Sequence, residues 1–422
     1  MTHSFDPGVP SPDLHELSTP LPDGLGGPLS EPHRFQERVS VCDSTLREGD
    51  QAPGVAMTTS DKVVIAQALA QAGVDEIEAG IPAGSQSERE ALAAIVELGL
   101  PAAVSAWCRA TWGDIDAAVA TGVNRVHICV PVSDQLMRVK LRQSRQQVAD
   151  RLRGCVTYAL DAGLAVSVGF EDASRADDHF VAQLAGRLSP LGVSRFRFAD
   201  TVGMLDPFTT FDRCAALVAA VPAQWELHAH DDLGLASANT LAALRAGFGW
   251  ANTTVLGTGD RAGVAAFEEL VMIVRRITGQ DFDVDATALS RLAQLVSEVT
   301  GRPIPAGKAV VGSAAFAHEA GIHVAAVLQD PASYEPFDPS QVGASRRIVL
   351  GKHSGRAALR HVLAQEGLDA EEADLAEVLN LVRQRAQDGK QEIGRQEVAG
   401  LLAGLRTAHA DSRPTLQYRK GA

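Results

Sequence analysis

Short apolar stretches rich in β-branched residues alternate with longer Ala- and Leu-rich amphipathic stretches from Arg38 onward. The first pattern predicts β-strands and the second predicts helices. The predicted strands span residues 38–45, 74–81, 101–108, 125–132, 165–172, 195–201, 225–231 and 252–259. Each interval leaves room for one helix and two loops, and eight such units in an unbroken rhythm indicate an α/β fold, a (β/α)8 TIM barrel.

The pattern becomes helical from about residue 278. Apolar residues recur there at three- and four-residue spacing, and further helices are predicted over 354–366, 370–387 and 394–408. Residues 1–36 contain seven prolines and no sustained periodicity, which is typical of a disordered extension. We therefore predict an extension over 1–36, a TIM-barrel catalytic domain over 37–277 and a helical C-terminal region over 278–422.

Polar side chains gather where the predicted strands end. The first strand runs into Asp43, Arg47 and Glu48, the fifth ends in Glu171, and the seventh carries His228 and His230. Chemistry in barrels of this kind collects at the carboxyl ends of the strands. Because seven of the eight strand ends are polar, we predict that they line a functional site.

His228 and His230 are two residues apart on a predicted strand, so both imidazoles face the same side. Alone, such a pair is more often two core or surface histidines. Together with a carboxylate from another strand end, it forms an open site for a divalent metal. Glu48 is the best candidate for that carboxylate, and a three-ligand site leaves positions for a chelating substrate.

Three neighbouring residues have open interpretations. Arg47 adjoins the proposed ligand and is able to stabilise an oxyanion, or to form an ion pair with Asp43 or Glu78. Gln51 and Thr201 are able to hydrogen-bond a substrate carboxylate or keto oxygen, or simply to satisfy backbone groups near a turn.

Charge and cysteine content exclude some classes of protein. The chain has 38 Lys and Arg against 52 Asp and Glu, a formal charge of −14, which argues against nucleic acid or an anionic membrane as the main partner. No apolar run approaches the roughly 18 residues of a membrane span. The five cysteines form no CxxC pair, which indicates reduced thiols in a cytoplasmic protein.

Five segments carry a family resemblance: DSTLREGDQ (43–51), HAHDDLGLASAN (228–239), GTGDRAG (257–263), AHEAGIH (317–323) and GKHSG (351–355). They resemble the isopropylmalate/homocitrate synthase family of metal-dependent Claisen condensing enzymes, and most closely the homocitrate synthases of the nitrogenase-associated type. The resemblance covers about residues 38–400. It implies an acyltransferase that joins acetyl-CoA to 2-oxoglutarate and hydrolyses the thioester, giving homocitrate and CoA.

The resemblance also implies roles for residues. A divalent metal (Mg, Mn, Zn or Co) is bound by Glu48, His228 and His230. Arg47 polarises the keto group, and Gln51 and Thr201 hold the 2-oxo acid. Glu171 corresponds to the glutamate near the acyl-CoA methyl group. His323 and Tyr334 correspond to residues that a homodimer donates to its partner's active site; without the resemblance they would be taken as a helix-packing histidine and a core aromatic residue.

Two departures from the family pattern matter. Some relatives place an Asn ligand after the glycine of GxGxRxG, where this chain has Val264, so the protein supplies three ligands. The basic residue expected at the distal carboxylate of 2-oxoglutarate does not align cleanly. Arg109 is the first candidate, and Arg138 or Arg142 is the next; each is also interpretable as a solvated surface charge.

Other functions remain as alternatives. A 2-isopropylmalate or citramalate synthase would act on 2-oxoisovalerate or pyruvate and would have an apolar pocket in place of a cationic one. A lyase of the hydroxymethylglutaryl-CoA type would need a cysteine in the loop after strand eight, where this chain has Gly-Thr-Gly-Asp. A non-catalytic barrel protein would not need the intact ligand and arginine positions. The pathway, nitrogen fixation or lysine biosynthesis, is left open.

Overall fold

Eight parallel strands form a closed barrel in the computed structural model, which describes residue 36 and residues 38–411. Neighbours in the sequence are neighbours in the ring, and β1 pairs with β8 to close it, for example at Cys42 and Asn252. The strands are β1 Ser40–Asp43, β2 Glu76–Glu78, β3 Ala103–Arg109, β4 Arg125–Pro131, β5 Ala165–Glu171, β6 Arg195–Asp200, β7 Trp225–Ala229 and β8 Trp250–Thr253.

Helices follow the strands around the barrel and then form the C-terminal part of the chain. Their bounds are α1 Thr59–Ala72, α2 Gln86–Glu97, α3 Trp112–Val119, α4 Asp134–Leu136, α5 Arg145–Asp161, α6 Asp178–Leu188, α7 Pro207–Ala220, α8 Ala236–Arg245, α9 Phe267–Ile273, α10 Leu289–Thr300, α11 Gly321–Val327, α12 Arg356–Gln365, α13 Glu372–Gly389 and α14 Arg395–Asp411. Two short strands, β9 Ala317–His318 and β10 Arg347–Ile348, pair in parallel.

The ends of helix α1 show how local sequence fixes an element. Thr58 caps its start by accepting a hydrogen bond from the Asp61 backbone, while the Asp61 side chain accepts one from the Thr58 backbone. Such reciprocal capping satisfies amides that have no partner within the helix. Gly73 ends the helix with φ +96°, a conformation that favours glycine.

Apolar side chains fill the layer between strands and helices, as the predicted alternation requires. Val168, Phe170, Phe196 and Phe198 are all buried there, and the Phe170 and Phe196 rings stack with centroids 5.8 Å apart. Charged side chains take the positions that face the barrel interior on β2, β6 and β7: Glu76, Glu78, Arg195, Arg197 and Glu226.

The C-terminal helices bury an apolar cluster of their own, built around residues such as Val324, Leu359 and Val378. Helix α10 packs its buried Leu292 and Val296 into the barrel's cluster instead. A helix of the predicted C-terminal region thus shares the core of the barrel. The domain boundaries, 37–277 for the barrel and 278–422 for the C-terminal region, remain a prediction. The proposed extension over 1–36 lies outside the described residues, apart from residue 36.

The barrel prediction is confirmed, and seven of the eight strands lie where the sequence indicated, with shifts of up to three residues at their ends. The eighth, predicted over 252–259, is Trp250–Thr253 and shares only two residues with its predicted span. Among residues 38–411, none of the helices has the length and apolarity needed to cross a membrane. All five cysteines are unpaired thiols.

Candidate active site and metal centre

Glu48, His228 and His230 meet at the carboxyl end of the barrel. Glu48 lies in the turn after β1, His228 lies on β7, and His230 follows that strand directly. Nε2 of His228 is 3.2 Å from Nε2 of His230. Nε2 of His230 is in turn 4.0 Å from Oε1 of Glu48. One ligand atom from each of the three residues lies within 4.8 Å of the others, and all three side chains are buried.

Asn252 on β8 orients the first imidazole, since its Oδ1 lies 2.6 Å from Nδ1 of His228. Because the amide oxygen of Asn252 accepts a hydrogen bond, the proton of the neutral imidazole lies on Nδ1. The lone pair on Nε2 is then free and faces His230 and Glu48. Metal-binding histidines in proteins are held through their other ring nitrogen in this way. Sequence reasoning missed Asn252, although its position on a strand next to the histidine strand was a usable signal.

The glycine-rich turn after β8 packs directly on Glu48. The Asp260 amide donates to Oε1 of Glu48 at 3.3 Å, and a side chain at Gly259 would place its Cβ 3.1 Å from Cγ of Glu48. Val264, at the position of the extra Asn ligand in some relatives, is buried and forms a backbone bridge with His230. This neighbour of the site is therefore apolar, and the cluster that could hold a metal ion consists, among the described residues, of Glu48, His228 and His230.

The protonation states suit metal ligation. Burial would raise the pKa of Glu48, but the Arg47 guanidinium and the two imidazoles lower it to about 2. Burial, followed by the proximity of His230, lowers the pKa of His228 to about 3, and burial also lowers the pKa of His230. At neutral pH the site therefore holds a carboxylate and two neutral imidazoles, a donor set that suits a divalent cation.

Arg47 is held from two sides beneath the site. Its Nε donates to Oε1 of Glu78 at 2.6 Å, and its Nη1 contacts Oε2 of Glu48. The guanidinium also lies 5.9 Å from the ring centroid of Trp107. Of the two ion pairs considered from the sequence, the one with Glu78 forms.

The predicted substrate residues lie in different surroundings. Gln51 is exposed, with Oε1 3.4 Å from Nη1 of Arg47. Thr201 accepts a hydrogen bond from the Asp172 amide at 2.8 Å, so its hydroxyl already satisfies a backbone group. Both carboxylate oxygens of Glu171, the last residue of β5, accept from Lys140 Nζ at 2.8 and 2.9 Å.

The structure does not single out an arginine for a distal carboxylate. Arg109 forms a two-point ion pair with Asp114, with N–O distances of 2.9 Å, and 62% of its side-chain surface is exposed. Arg138 and Arg142 are exposed in the segment that leads from α4 to α5.

His323 and Tyr334 lie together in the C-terminal region. Their rings are 4.2 Å apart at 33°, both residues are exposed, and Tyr334 keeps 47% of its surface accessible. They are therefore neither a helix-packing histidine nor a core aromatic residue in this chain.

Comparisons with known proteins agree with this architecture. Residues 38–296 match a family model described as HMGL-like, and residues 310–390 match one described as homocitrate synthase post-HMGL domain-like. The crystal structure of the HMG-CoA lyase of Bacillus subtilis aligns with a TM-score of 0.58 at 23% identity, over 64% of this chain and 96% of that one, and so supports the fold.

Two relatives show where the chain falls among these barrels. A homocitrate synthase of Frankia alni is 54% identical over 78% of this chain and 94% of its own length. A 2-isopropylmalate synthase of Caldanaerobacter subterraneus is 43% identical over 80% of this chain and 88% of its own length. The chain thus belongs to the HMGL-like barrel enzymes and, within them, to the homocitrate synthase family of acyltransferases.

Proposed function

We propose that this protein condenses acetyl-CoA with 2-oxoglutarate and hydrolyses the product thioester to homocitrate and CoA, using a divalent metal held by Glu48, His228 and His230. The observation that carries the proposal is the convergence of these three ligand atoms within 4.8 Å in a chain of the homocitrate synthase family. A 2-oxo acid would chelate a divalent ion held there through its keto oxygen and C1 carboxylate, and the ion would make the carbonyl carbon more electrophilic.

The protein's own residues would supply the remaining chemistry. Arg47, beside Glu48, would stabilise the negative charge that develops on the keto oxygen. Gln51 and Thr201 would hold the oxo acid, with Arg109 as first candidate for its distal carboxylate. His323 with Tyr334, or Glu171, would take the proton from the acetyl methyl group, so that the methyl carbon attacks the carbonyl carbon. Water then cleaves the thioester and releases CoA.

We further propose that His323 and Tyr334 act in the active site of a second copy of the chain. Their exposure in the C-terminal region leaves them accessible to a partner. The five unpaired thiols support a cytoplasmic location.

The proposal is tested by measuring CoA release from acetyl-CoA with a panel of 2-oxo acids, with and without EDTA. We expect 2-oxoglutarate to turn over fastest and EDTA to abolish turnover, with activity restored by added divalent metal. A preference for 2-oxoisovalerate or pyruvate would assign a 2-isopropylmalate or citramalate synthase instead. Indifference to the chelator would refute the metal site.

A further inference from the structure

The barrel interior holds a chain of ion pairs that reaches Arg47. The order of the side chains is Arg47, Glu78, Arg197, Glu226, Arg195 and Glu76. Cations and anions alternate along it, and each of these side chains is at least nine-tenths buried. Interiors of such barrels are dominated by branched apolar residues, so an ionic filling calls for an explanation.

Arg197 is one of two arginines on β6 that span the barrel to reach β2, and it is the one that reaches Glu78. It starts on β6, and its Nη2 lies 2.9 Å from Oε2 of Glu78 on β2, on the opposite side of the eight-stranded ring. Its Nε donates to Oε1 of Glu226 at 2.8 Å on the adjacent strand β7. Two nitrogens of the Arg197 guanidinium are therefore held, one by each carboxylate.

Glu78 is shared between two arginines, one oxygen for each. Oε1 accepts from Arg47 Nε at 2.6 Å, and Oε2 faces Arg197. Burial alone would raise the pKa of Glu78, but Arg197 and then Arg47 hold it well below its usual range. Arg197 thus keeps Glu78 ionised and occupies Oε2, the carboxylate oxygen that Arg47 does not contact.

Removing Arg197 would free that second oxygen. Arginine and carboxylate groups favour a two-point contact when both carboxylate oxygens are available. Arg47 would then turn toward Glu78 and withdraw its remaining N–H groups from the reacting carbonyl. We propose that Arg197 is a positioning residue for the condensation, acting through Glu78 to hold the guanidinium of Arg47 at the active site; this inference rests on the proposed function.

Arg195 provides a matched control. It lies on the same strand, is equally buried and pairs with Glu226 and Glu76, at 2.5 and 2.9 Å, but its ion pairs do not include Glu78. Arg197→Met and Arg195→Met remove the same charge from the same interior, so both should lower the melting temperature. A structural role for Arg197 would give the two variants the same catalytic outcome.

The test compares kcat, KM for 2-oxoglutarate, metal affinity and melting temperature for both variants. A displacement of about 1 Å costs on the order of 10²-fold in rate, so we expect Arg197→Met to lower kcat by about that factor, with metal affinity unchanged. Arg195→Met should keep kcat within about threefold, since it does not contact Glu78. Equal losses in both variants, or an unaltered kcat in Arg197→Met, would overturn the proposal.

Two further measurements cover other outcomes. If Arg197→Met does not fold, Arg197→Lys replaces it; its single ammonium group is expected to pair with one of the two glutamates and to lower kcat in the same direction. A crystal structure of the variant tests the positioning without an assay: Arg47 should face both oxygens of Glu78, and an unmoved Arg47 would refute the inference.

A wild-type enzyme inactive on every 2-oxo acid would instead refute the proposed function, and the crystal structure would still decide the positioning.

Discussion

Asn252 shows how one residue outside the proposed ligand set controls the ligands. It accepts from Nδ1 of His228 and thereby fixes which ring nitrogen faces Glu48. Loss of such an outer contact typically weakens metal binding by about 10- to 100-fold. We expect Asn252→Ala to reduce metal affinity by that amount in isothermal titration with Mn²⁺ or Zn²⁺. Asn124→Ala serves as the control, since Asn124 is exposed and outside the site, and its metal affinity should be unchanged. Unchanged affinity in Asn252→Ala would remove Asn252 from the site.

Asp43 makes a second prediction at the level of a single residue. Burial, only partly offset by hydrogen bonds from Thr45 and Thr253, raises its pKa to about 7. Because the folded state favours the protonated acid, its contribution to stability is complete below about pH 4 and is lost as the pH rises through 7.

Asp43→Asn cannot ionise and keeps an acceptor for the Thr45 amide. We therefore expect the variant to gain stability over the wild type between pH 4 and 8, on the order of a few kcal/mol, in urea unfolding across that range. Burial also raises the pKa of Glu268, so the stability of the variant should depend on pH less than that of the wild type, but should still depend on it. A difference between the two proteins that is independent of pH would contradict the raised pKa.

At the scale of elements, the turn after β8 is the most constrained part of the site. Gly263 has φ +91°, and a Cβ there would lie 1.8 Å from the Gly257 carbonyl oxygen. Since the same turn supplies the Asp260 amide to Glu48, Gly263→Ala should displace the turn and lower both metal affinity and melting temperature.

Gly186, within α6, is the matched control for that substitution, because a Cβ added there would meet no neighbouring element within 4 Å. Gly186→Ala should be neutral or stabilise by up to about 1 kcal/mol because alanine favours the helix. Differential scanning fluorimetry with and without metal measures both effects. A wild-type melting curve for Gly263→Ala would show that the turn tolerates a side chain.

The elements also show how far the sequence alone leads. The rhythm of strands and helices is a local property, so all eight strands were predictable. The eighth begins two residues earlier and ends before the predicted 259, because the chain turns at Leu256 with φ +61°. The same local pattern placed His228 and His230 on one face. It did not reveal that Arg195 reaches Glu76, since that contact depends on strands brought together across the closed barrel.

At the scale of the whole molecule, the proposed exchange of residues between two copies makes a quantitative prediction. Glu48→Gln disables the barrel's own site, and His323→Ala disables the residue donated to the other copy. When the two inactive variants are mixed and allowed to exchange subunits, half of the dimers are heterodimers, each with one intact site. Activity should therefore return to about a quarter of the wild-type value.

The control for this mixing experiment is each variant incubated alone, which should remain inactive. Light scattering shows whether the protein is a dimer, and native mass spectrometry of the mixture, with one variant isotopically labelled, shows whether the subunits exchange. If exchange occurs without recovery of activity, His323 acts within its own chain or is not catalytic.

The ionic filling of the barrel also limits how this protein is able to evolve. Removing one partner of a buried ion pair leaves an uncompensated charge, at a cost of about 3–5 kcal/mol, a large part of the total stability of an ordinary domain. Each of Glu78, Arg197 and Glu226 has two partners in the interior. Single replacements here are therefore selected against, and related enzymes that differ at one of these positions are expected to have changed its partners as well.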